Sequence, residues 1–287
     1  NVNVFISNSL PSANLVNDIH KPQEKEQMID LNHQPKFHER VSALLDASIQ
    51  RERGKQPKRS YLGASRLGVS CERALQFEFT NTPKDEDGDF PGRILRVFDV
   101  GHALEDLVIN WLRAAGFDLY TRKQDGHQFG FSVAGGKIKG HVDGILAAAP
   151  TELDLTFPML WECKTMNDKN WKETAKKGVE TSKPIYAAQM AIYQAYMEPS
   201  VPGISANPAL FTAVNKDTQE VWCELVPFNA ALAQRMSDRA VKVLQATNAG
   251  ELLPRIASQQ TFYECRSCSW SNRCWNGPQE ILMEAPQ

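Results

Sequence analysis

The chain has 287 residues, a formal net charge of −2 at pH 7, and 42% hydrophobic and 23% charged residues. This length allows one hydrophobic core, or one core with an appended subdomain, and the composition excludes low-complexity, collagen-like and secreted disulfide-scaffold proteins. We find neither a secretory signal nor an apolar run of about 18 residues, so we expect a cytoplasmic protein with no membrane segment.

The N-terminal region differs in composition from the rest of the chain. Residues 1 to about 35 are rich in Asn, Ser, Pro, Gln and Asp, which predicts an extended arm. Apolar residues at helical spacing over 37–49 predict a helix. The basic stretch 51–59 is interpreted as a linker rather than a binding site. We therefore predict an arm over residues 1–60 and a main domain over 61–287.

The main domain alternates between helical and strand patterns. A helix is expected to begin near Cys71, and a longer one over 93–115 has an apolar side formed by Leu104, Leu107, Val108, Trp111 and Leu112. Alternating residues over 129–133, a Gly135-Gly136 turn and a strand over 138–146 follow. The remaining predicted elements are a strand at 158–165, a polar Lys-rich segment, a helix at 184–197, strands at 210–215 and 220–226, and a helix capped by Asn229. This order predicts an α/β fold with one mixed central sheet flanked by helices.

Three residues in the middle of the chain form a pattern typical of a divalent-metal site. Glu162 and Lys164 lie two apart in a predicted strand, so their side chains share one face. If Asp143 lies on the adjacent strand, two carboxylates and one ammonium converge. Carboxylates suit Mg²⁺ or Mn²⁺, which lowers the pKa of a bound water and neutralises charge developing on a phosphodiester. The pattern therefore indicates hydrolysis of a DNA backbone.

Two helical pairs extend this pattern. His102 and Glu105 lie three apart, and either is a candidate metal ligand, with Glu105 the first choice. Gln189 and Tyr193 lie four apart on another helix, where they would hold a phosphate or position Lys164. Each of these residue patterns alone is more often part of a solvated surface or of the core. A catalytic site is favoured because all of the patterns occur together and in order.

In sequence order, these pieces resemble the motif series of the RecB-like PD-(D/E)XK nucleases. The matching segments are G-x-x-x-E at 101–105, H-V-D-G at 141–144, E-x-K at 162–164 and Q-x-x-x-Y at 189–193. The resemblance implies a restriction-endonuclease-like core with Lys164 as the catalytic lysine and Gln189 and Tyr193 in support. It implies metal binding by Glu105, Asp143, Glu162 and the backbone carbonyl of Cys163. Val142 replaces the proline that names the motif, and the role of His102 stays open.

Three cysteines near the C-terminus are spaced as ligands, at Cys265, Cys268 and Cys274. Such a set holds one ion or one corner of a cluster, and a closed site needs a fourth thiolate. Cys163 points to the opposite face of its strand from Glu162, and the strand pattern around Cys223 is typical of a free buried cysteine. Cys71 lies in a turn before a helix, where its side chain is the most easily presented as the fourth ligand. On residue chemistry alone, structural zinc and an iron–sulfur cluster are both compatible with these thiolates.

A distant Cys followed by C-x2-C-x5-C, bracketing the nuclease motifs, resembles the iron–sulfur exonucleases of CRISPR adaptation, AddB-type recombination complexes and phages. This implies a 4Fe–4S cluster on Cys71, Cys265, Cys268 and Cys274 that joins the two ends of the nuclease domain. It also implies an exonuclease acting on single-stranded or frayed DNA ends in a bacterial, archaeal or phage-infected cell, with partners in a recombination, CRISPR or phage complex. A restriction-type endonuclease and a non-catalytic DNA-binding scaffold are the alternatives.

Candidate DNA contacts outside the motifs lie after the Glu162 strand. The residues Lys169, Trp171, Lys172, Lys176 and Lys177 are candidates to line a channel mouth for single-stranded DNA. A solvated Lys-rich loop with a core Trp is an equal alternative. Arg73 is a candidate phosphate contact, and Trp270 and Trp275 are expected to pack over the cluster.

Overall fold

The computed structural model describes residues 34–278, so nearly all of the predicted arm lies outside the described residues. The first helix, α1 (Phe37–Gly54), covers the helix predicted over 37–49. The boundary between the chain's two compact units falls inside this helix, between Val41 and Ser42. The domain boundary near residue 60 stays a prediction. None of the helices within residues 34–278 combines the length and apolar character that a membrane-spanning segment requires.

The other elements follow the predicted order closely. They are β1 (Leu62–Gly63), α2 (Glu72–Phe79), α3 (Gly92–Ala114), β2 (Asp118–Tyr120), β3 (Gly130–Val133), β4 (Ile138–His141), β5 (Gly144–Ala148), β6 (Met159–Met166), α4 (Asp168–Lys177), α5 (Val179–Ser182), α6 (Pro184–Met197), β7 (Ala209–Asn215), β8 (Val221–Val226), α7 (Ala230–Asn248), α8 (Tyr263–Arg266) and α9 (Ser271–Asn276). The predicted cap of the last long helix is confirmed, because the Asn229 side chain accepts a hydrogen bond from the Leu232 amide at 2.9 Å.

The described strands form two sheets, whereas the sequence pattern predicted one. A three-stranded sheet has the order β1-β4-β3, and a five-stranded mixed sheet has the order β2-β5-β6-β7-β8, in which β6 and β7 run parallel. The strand predicted over 138–146 is therefore two strands, β4 and β5, separated by Val142-Asp143. The break has a physical cause, since β4 bonds to β1 and β3 while β5 bonds to β2 and β6. It places Asp143 where one sheet gives way to the other.

Apolar side chains pack on both faces of the five-stranded sheet. One cluster includes residues of α6 and α7, and a second, smaller cluster includes Val108 and Ile109 of α3. The predicted apolar side of α3 was partly wrong, because Leu107 and Trp111 are 45% and 44% exposed. Two adjacent apolar rows run along this helix, and helical periodicity does not determine which one meets the sheet.

The Lys-rich segment after β6 is a helix, α4, and not a loop. The Asn167 side chain caps it by accepting from the Asn170 amide at 2.9 Å. The Trp171 indole donates to the Ala213 carbonyl at 3.0 Å and packs against the core. Two of its lysines pair with carboxylates one turn away, at Lys172–Asp168 and Lys177–Glu173. These contacts favour the core role of Trp171 over the channel-mouth interpretation.

Candidate active site

The predicted carboxylates and lysine converge at the break between β4 and β5. Glu162 and Lys164 project from the same face of β6, and Asp143 immediately precedes β5, which pairs with β6. The Lys164 ammonium lies 3.8 Å from Asp143 Oδ2 and forms a direct ion pair with Glu162 Oε1. The geometry predicted from the two-residue spacing is therefore present.

Neighbouring elements restrain both carboxylates. The backbone amide of Cys163 donates to Asp143 Oδ2 at 2.9 Å, which fixes this carboxylate against β6. Gln189 of α6 donates from Nε2 to Glu162 Oε1 at 2.6 Å. Gln189 is thus placed to support the site by holding the Glu162 carboxylate.

Two tyrosines of α6 lie near the carboxylates and lysine, the predicted Tyr193 and an unpredicted one, Tyr186. The Tyr193 ring is 3% exposed and packs edge-on against Phe131 at 5.6 Å. Burial, followed by the negative charges of Glu162 and Asp143, raises the pKa of its phenol, while Lys164 opposes the shift. Tyr186 lies beside Lys164, whose Nζ is 5.4 Å from the centre of the Tyr186 ring. The sequence contained a signal for this residue, because Tyr186 lies three residues before Gln189 on the same helical face.

Glu105 reaches the site from α3. It lines a cavity of about 310 Å³ together with Asp143 and the exposed His102. The cavity wall also includes Arg122 and Gln128, and Gln128 Nε2 donates to the Val142 carbonyl at 2.9 Å. Sequence analysis missed both residues, because no motif marks the hairpin that carries them. The cavity therefore combines two predicted metal-ligand carboxylates with one guanidinium.

Burial and mutual repulsion set the protonation of the carboxylates. Burial, followed by the negative charge of Asp143, raises the pKa of Glu162 to about 8 and that of Glu105 to about 7, while Lys164 opposes both shifts. Burial alone would lower the pKa of Lys164, but Glu162 and Asp143 outweigh it and hold that pKa above its ordinary value. Lys164 is therefore a protonated cation between acids that repel one another.

One oxygen of this site lacks a partner. Glu162 Oε2 is buried and, among the described residues, accepts no hydrogen bond. A buried acceptor without a partner destabilises the folded state, and a bound cation would satisfy it while reducing the repulsion between the acids. The oxygen-donor chemistry fits a hard divalent cation. Within residues 34–278, no three His, Cys, Asp or Glu side chains are already arranged as a metal site.

The four predicted cluster ligands lie around a second cavity of about 1110 Å³. Cys71 occupies the N-cap position of α2, Cys265 lies in α8, Cys274 lies in α9 and Cys268 falls between the last two helices. Burial raises the pKa of the Cys268 thiol, and Cys71, Cys274 and Cys265 raise it further. The four thiols are therefore close enough to influence one another.

Two further groups border these cysteines. Trp275 Nε1 is buried and has no hydrogen-bond partner in the part of the chain that the structure describes. Arg73 Nη1 lies 3.6 Å from Cys274 Sγ, and its guanidinium also donates to the Leu253 carbonyl. The prediction of an Arg73–phosphate contact is disfavoured, because this side chain is 7% exposed. An N–H donor without a partner and an arginine both fit an anionic thiolate site.

The two remaining cysteines lie elsewhere in the fold, and Trp270 forms a hydrogen bond of the kind that Trp275 lacks. Cys163 is buried in the second apolar cluster, on the opposite face of β6 from Glu162, as predicted. Cys223 is exposed on β8, so the predicted burial was wrong. β8 is an edge strand of the five-stranded sheet, which leaves this side chain less covered. Trp270 is buried, and its indole donates to the Thr82 carbonyl at 2.9 Å.

The chain resembles several solved structures only distantly. The crystal structure of SSO0001 aligns with a TM-score of 0.47 and 17% identity over 83% of this chain and 98% of that one. An alkaline exonuclease from Laribacter hongkongensis, LHK-Exo, aligns with a TM-score of 0.45 and 16% identity over 67% of this chain and 90% of that one. LHK-Exo in complex with dAMP aligns with a TM-score of 0.44 and 16% identity over 72% of this chain and 93% of that one. No protein-family model and no curated protein sequence matches the chain.

Proposed function

We propose that this chain is a Mg²⁺- or Mn²⁺-dependent DNA nuclease that hydrolyses phosphodiester bonds at the junction of β4, β5 and β6. The observation that supports this most strongly is Lys164, which lies between Asp143 and Glu162, with one Glu162 oxygen buried and unpartnered. A structural ion pair would satisfy both partners. This arrangement leaves an acceptor for a cation beside a protonated lysine.

The residues that would hold one or two ions are Glu105, Asp143, Glu162 and the backbone carbonyl of Cys163. The ion would lower the pKa of a water and neutralise charge developing on the phosphate. Lys164, held protonated by the two carboxylates, would donate a hydrogen bond to a phosphate oxygen or to the attacking water. Gln189 would keep Glu162 oriented, and Tyr186 would confine the Lys164 side chain.

The preferred substrate in this proposal is a DNA end, single-stranded or frayed. This preference follows from the resemblance of the motif series and the cysteines to iron–sulfur exonucleases. The same resemblance supports a role in recombination, repair, CRISPR adaptation or phage DNA processing, with protein partners from such a complex.

The experiment is degradation of end-labelled DNA with Mn²⁺ by wild type and Lys164→Ala, alongside Lys242→Ala as a control, because Lys242 is an exposed lysine on α7. We expect wild type and Lys242→Ala to degrade linear single strands, and Lys164→Ala to lose activity by at least about a hundredfold. Equal activity in Lys164→Ala would overturn the assignment of the site. Cleavage of closed circular DNA as fast as linear DNA would favour the endonuclease alternative.

We also propose that Cys71, Cys265, Cys268 and Cys274 hold a 4Fe–4S cluster. The four thiols around one cavity, with an unpartnered Trp275 N–H and the Arg73 guanidinium nearby, support an anionic thiolate site. Zinc is the alternative ion for the same ligands. Iron, sulfide and zinc analysis of protein purified without oxygen separates the two.

A further inference from the structure

A cationic and aromatic group lies on the three-stranded sheet, outside the candidate active site. The Arg59 guanidinium carbon lies 5.9 Å, and the Lys139 Nζ 5.1 Å, from the centre of the Tyr61 ring. Within residues 34–278, neither cation forms an ion pair with a carboxylate. Two like charges beside one half-buried ring, neither of them paired with a carboxylate among the described residues, make a local positive surface on a chain whose net charge is −2.

The sheet leaves this surface open. In the strand register, Lys139 lies between Gly63 of β1 and Ser132 of β3, two residues with little or no side chain. A side chain at position 63 would meet the Arg59 guanidinium, because a Cβ there would lie 3.3 Å from Arg59 Nη1. The Arg59 side chain therefore lies over Gly63 and next to the strand that carries Lys139.

The surface leads along β4 towards the candidate active site. In β4, the buried Ile138 and Gly140 alternate with Lys139 and the exposed His141, and Asp143 follows two residues after His141. His141 lies near the cationic group, because the charges of Arg59 and Lys139 add to burial in lowering its pKa. Lys139 and Asp143 are four residues apart across the break at Val142-Asp143, which is at most about 13 Å of extended chain. Because each strand of a duplex carries one phosphate per about 3.4 Å of helix axis, a polynucleotide covers this distance with a few nucleotides.

We infer that a single strand of DNA lies across this sheet face, with Tyr61 stacked on a base and Arg59 and Lys139 on neighbouring phosphates, and from there enters the cleavage site at Asp143. Sequence-tolerant binding of single strands combines these two components, cations along the backbone and an aromatic platform for the bases. The inference rests on the proposed nuclease function and names where its substrate lies. It also assigns a role to Arg59, which belongs to the stretch interpreted from sequence as a linker.

The test measures binding separately from cleavage. Fluorescence anisotropy of a labelled oligothymidine, with EDTA present to remove free divalent ions, gives the binding constant of the full chain at several salt concentrations. The variants are Arg59→Gln, Lys139→Gln, Tyr61→Leu and Tyr61→Phe. Arg235→Gln is the matched control, because Arg235 is an exposed arginine on α7.

We expect Arg59→Gln and Lys139→Gln each to reduce the slope of log K against log salt by about 0.7, the loss of one phosphate contact on a single strand. Tyr61→Leu should bind at least about fivefold more weakly, while Tyr61→Phe, which keeps the ring, should bind like wild type. Slopes for Arg59→Gln and Lys139→Gln equal to that of Arg235→Gln would overturn the inference.

The outcome is separable from that of the nuclease proposal. If wild type cuts DNA and the surface variants bind it normally, the sheet surface is excluded as the DNA-binding site and the nuclease proposal is unaffected. If the variants bind weakly and wild type cuts no DNA, the surface stands and the nuclease proposal fails.

Discussion

At the scale of single residues, Glu162 has two oxygens in different states. Oε1 accepts from Lys164 and Gln189, while Oε2 is buried and unpartnered. The first oxygen explains how the side chain is held, and the second is available to a cation. A substitution that keeps the shape and removes the charge separates these two roles.

Glu162→Gln should abolish most of the stabilisation that Mn²⁺ gives to the folded protein. A ligand that binds the folded state at about 100 times its Kd adds about 2.7 kcal/mol to the free energy of unfolding, which raises the Tm by several degrees. Thermal unfolding with and without Mn²⁺ measures the effect. Glu180→Gln, an exposed glutamate on α5, is the control and should keep the wild-type shift. An equal Mn²⁺ shift in both variants would exclude Glu162 as a ligand.

Metal-free protein should lose stability as the pH rises from about 5 to 8.5. The pKa of Glu162 is about 8 in the folded state against an ordinary value of 4.5, so the folded state binds this proton more tightly. Its contribution is complete below the unfolded pKa and is lost as the pH rises through the folded pKa, with a limiting slope of about 1.4 kcal/mol per pH unit. Urea unfolding with a metal chelator measures the slope, which should be shallower in Glu162→Gln. Equal slopes of the free energy of unfolding against pH in wild type and Glu162→Gln would show that Glu162 does not titrate in this range.

Tyr186 contacts Lys164, whose Nζ lies 5.4 Å from the centre of its ring, so we regard Tyr186 as a positioning residue. Tyr186→Leu should lower kcat for DNA cleavage about 5- to 30-fold, because a desolvated cation–π contact contributes about 1–2 kcal/mol. KM should change little, since the phosphate contacts remain. Tyr186→Phe keeps the ring and is expected to cleave like wild type. A Leu variant with the wild-type kcat would remove Tyr186 from the site.

At the scale of elements, β4 packs closely against side chains of β3 and α6, and this packing requires a glycine at position 140. A Cβ at Gly140 would lie 2.5 Å from Phe131 Cζ and 2.9 Å from Tyr193 Cε1. Gly140→Ala should therefore destabilise the protein by about 1–3 kcal/mol through overpacking. Urea denaturation measures this, with Gly54→Ala as the control, because a Cβ at Gly54 meets nothing within 4 Å. Equal stability of the two variants would contradict this account of the packing.

The elements also differ in how well the sequence predicted them. The bounds of α6 and the cap of α7 agree with prediction, because turn chemistry, proline placement and helical period are local properties of the chain. The break of the predicted strand at Val142-Asp143 was missed. The residues on its two sides have the same alternating pattern, and the break depends on which distant strands each half pairs with.

At the scale of the whole molecule, the proposed cluster would connect Cys71 with the three cysteines near the end of the described residues. A shared cluster would close a loop from Cys71 to Cys274, and such closure stabilises mainly by restricting the unfolded chain. Cys268→Ser should therefore lose iron and lower the Tm. Cys223→Ser, on β8, should keep both.

Anaerobic purification followed by visible absorption, iron and sulfide analysis and thermal unfolding tests this expectation. Brown wild-type protein with about four irons, and colourless Cys268→Ser, would support the cluster. Zinc in place of iron would assign the site to the alternative metal and leave the nuclease proposal intact. The same Tm in Cys268→Ser and wild type would exclude a role for these cysteines in stability.

The sequence by itself determined the local structure and the residues that we propose for the chemistry. It predicted that Glu162 and Lys164 share one face, because spacing within a strand determines which side chains point the same way, and that Asp143 and Gln189 lie near them. The choice of Cys71 as the fourth cysteine of its set stays a prediction from the resemblance. Only the tertiary structure decided which Glu162 oxygen lacks a partner, that Tyr186 lies beside Lys164, and that Arg59 and Lys139 meet at Tyr61. These contacts join residues far apart in the chain, and their distances depend on strand register and on the packing of helices against the sheets, which no local pattern records.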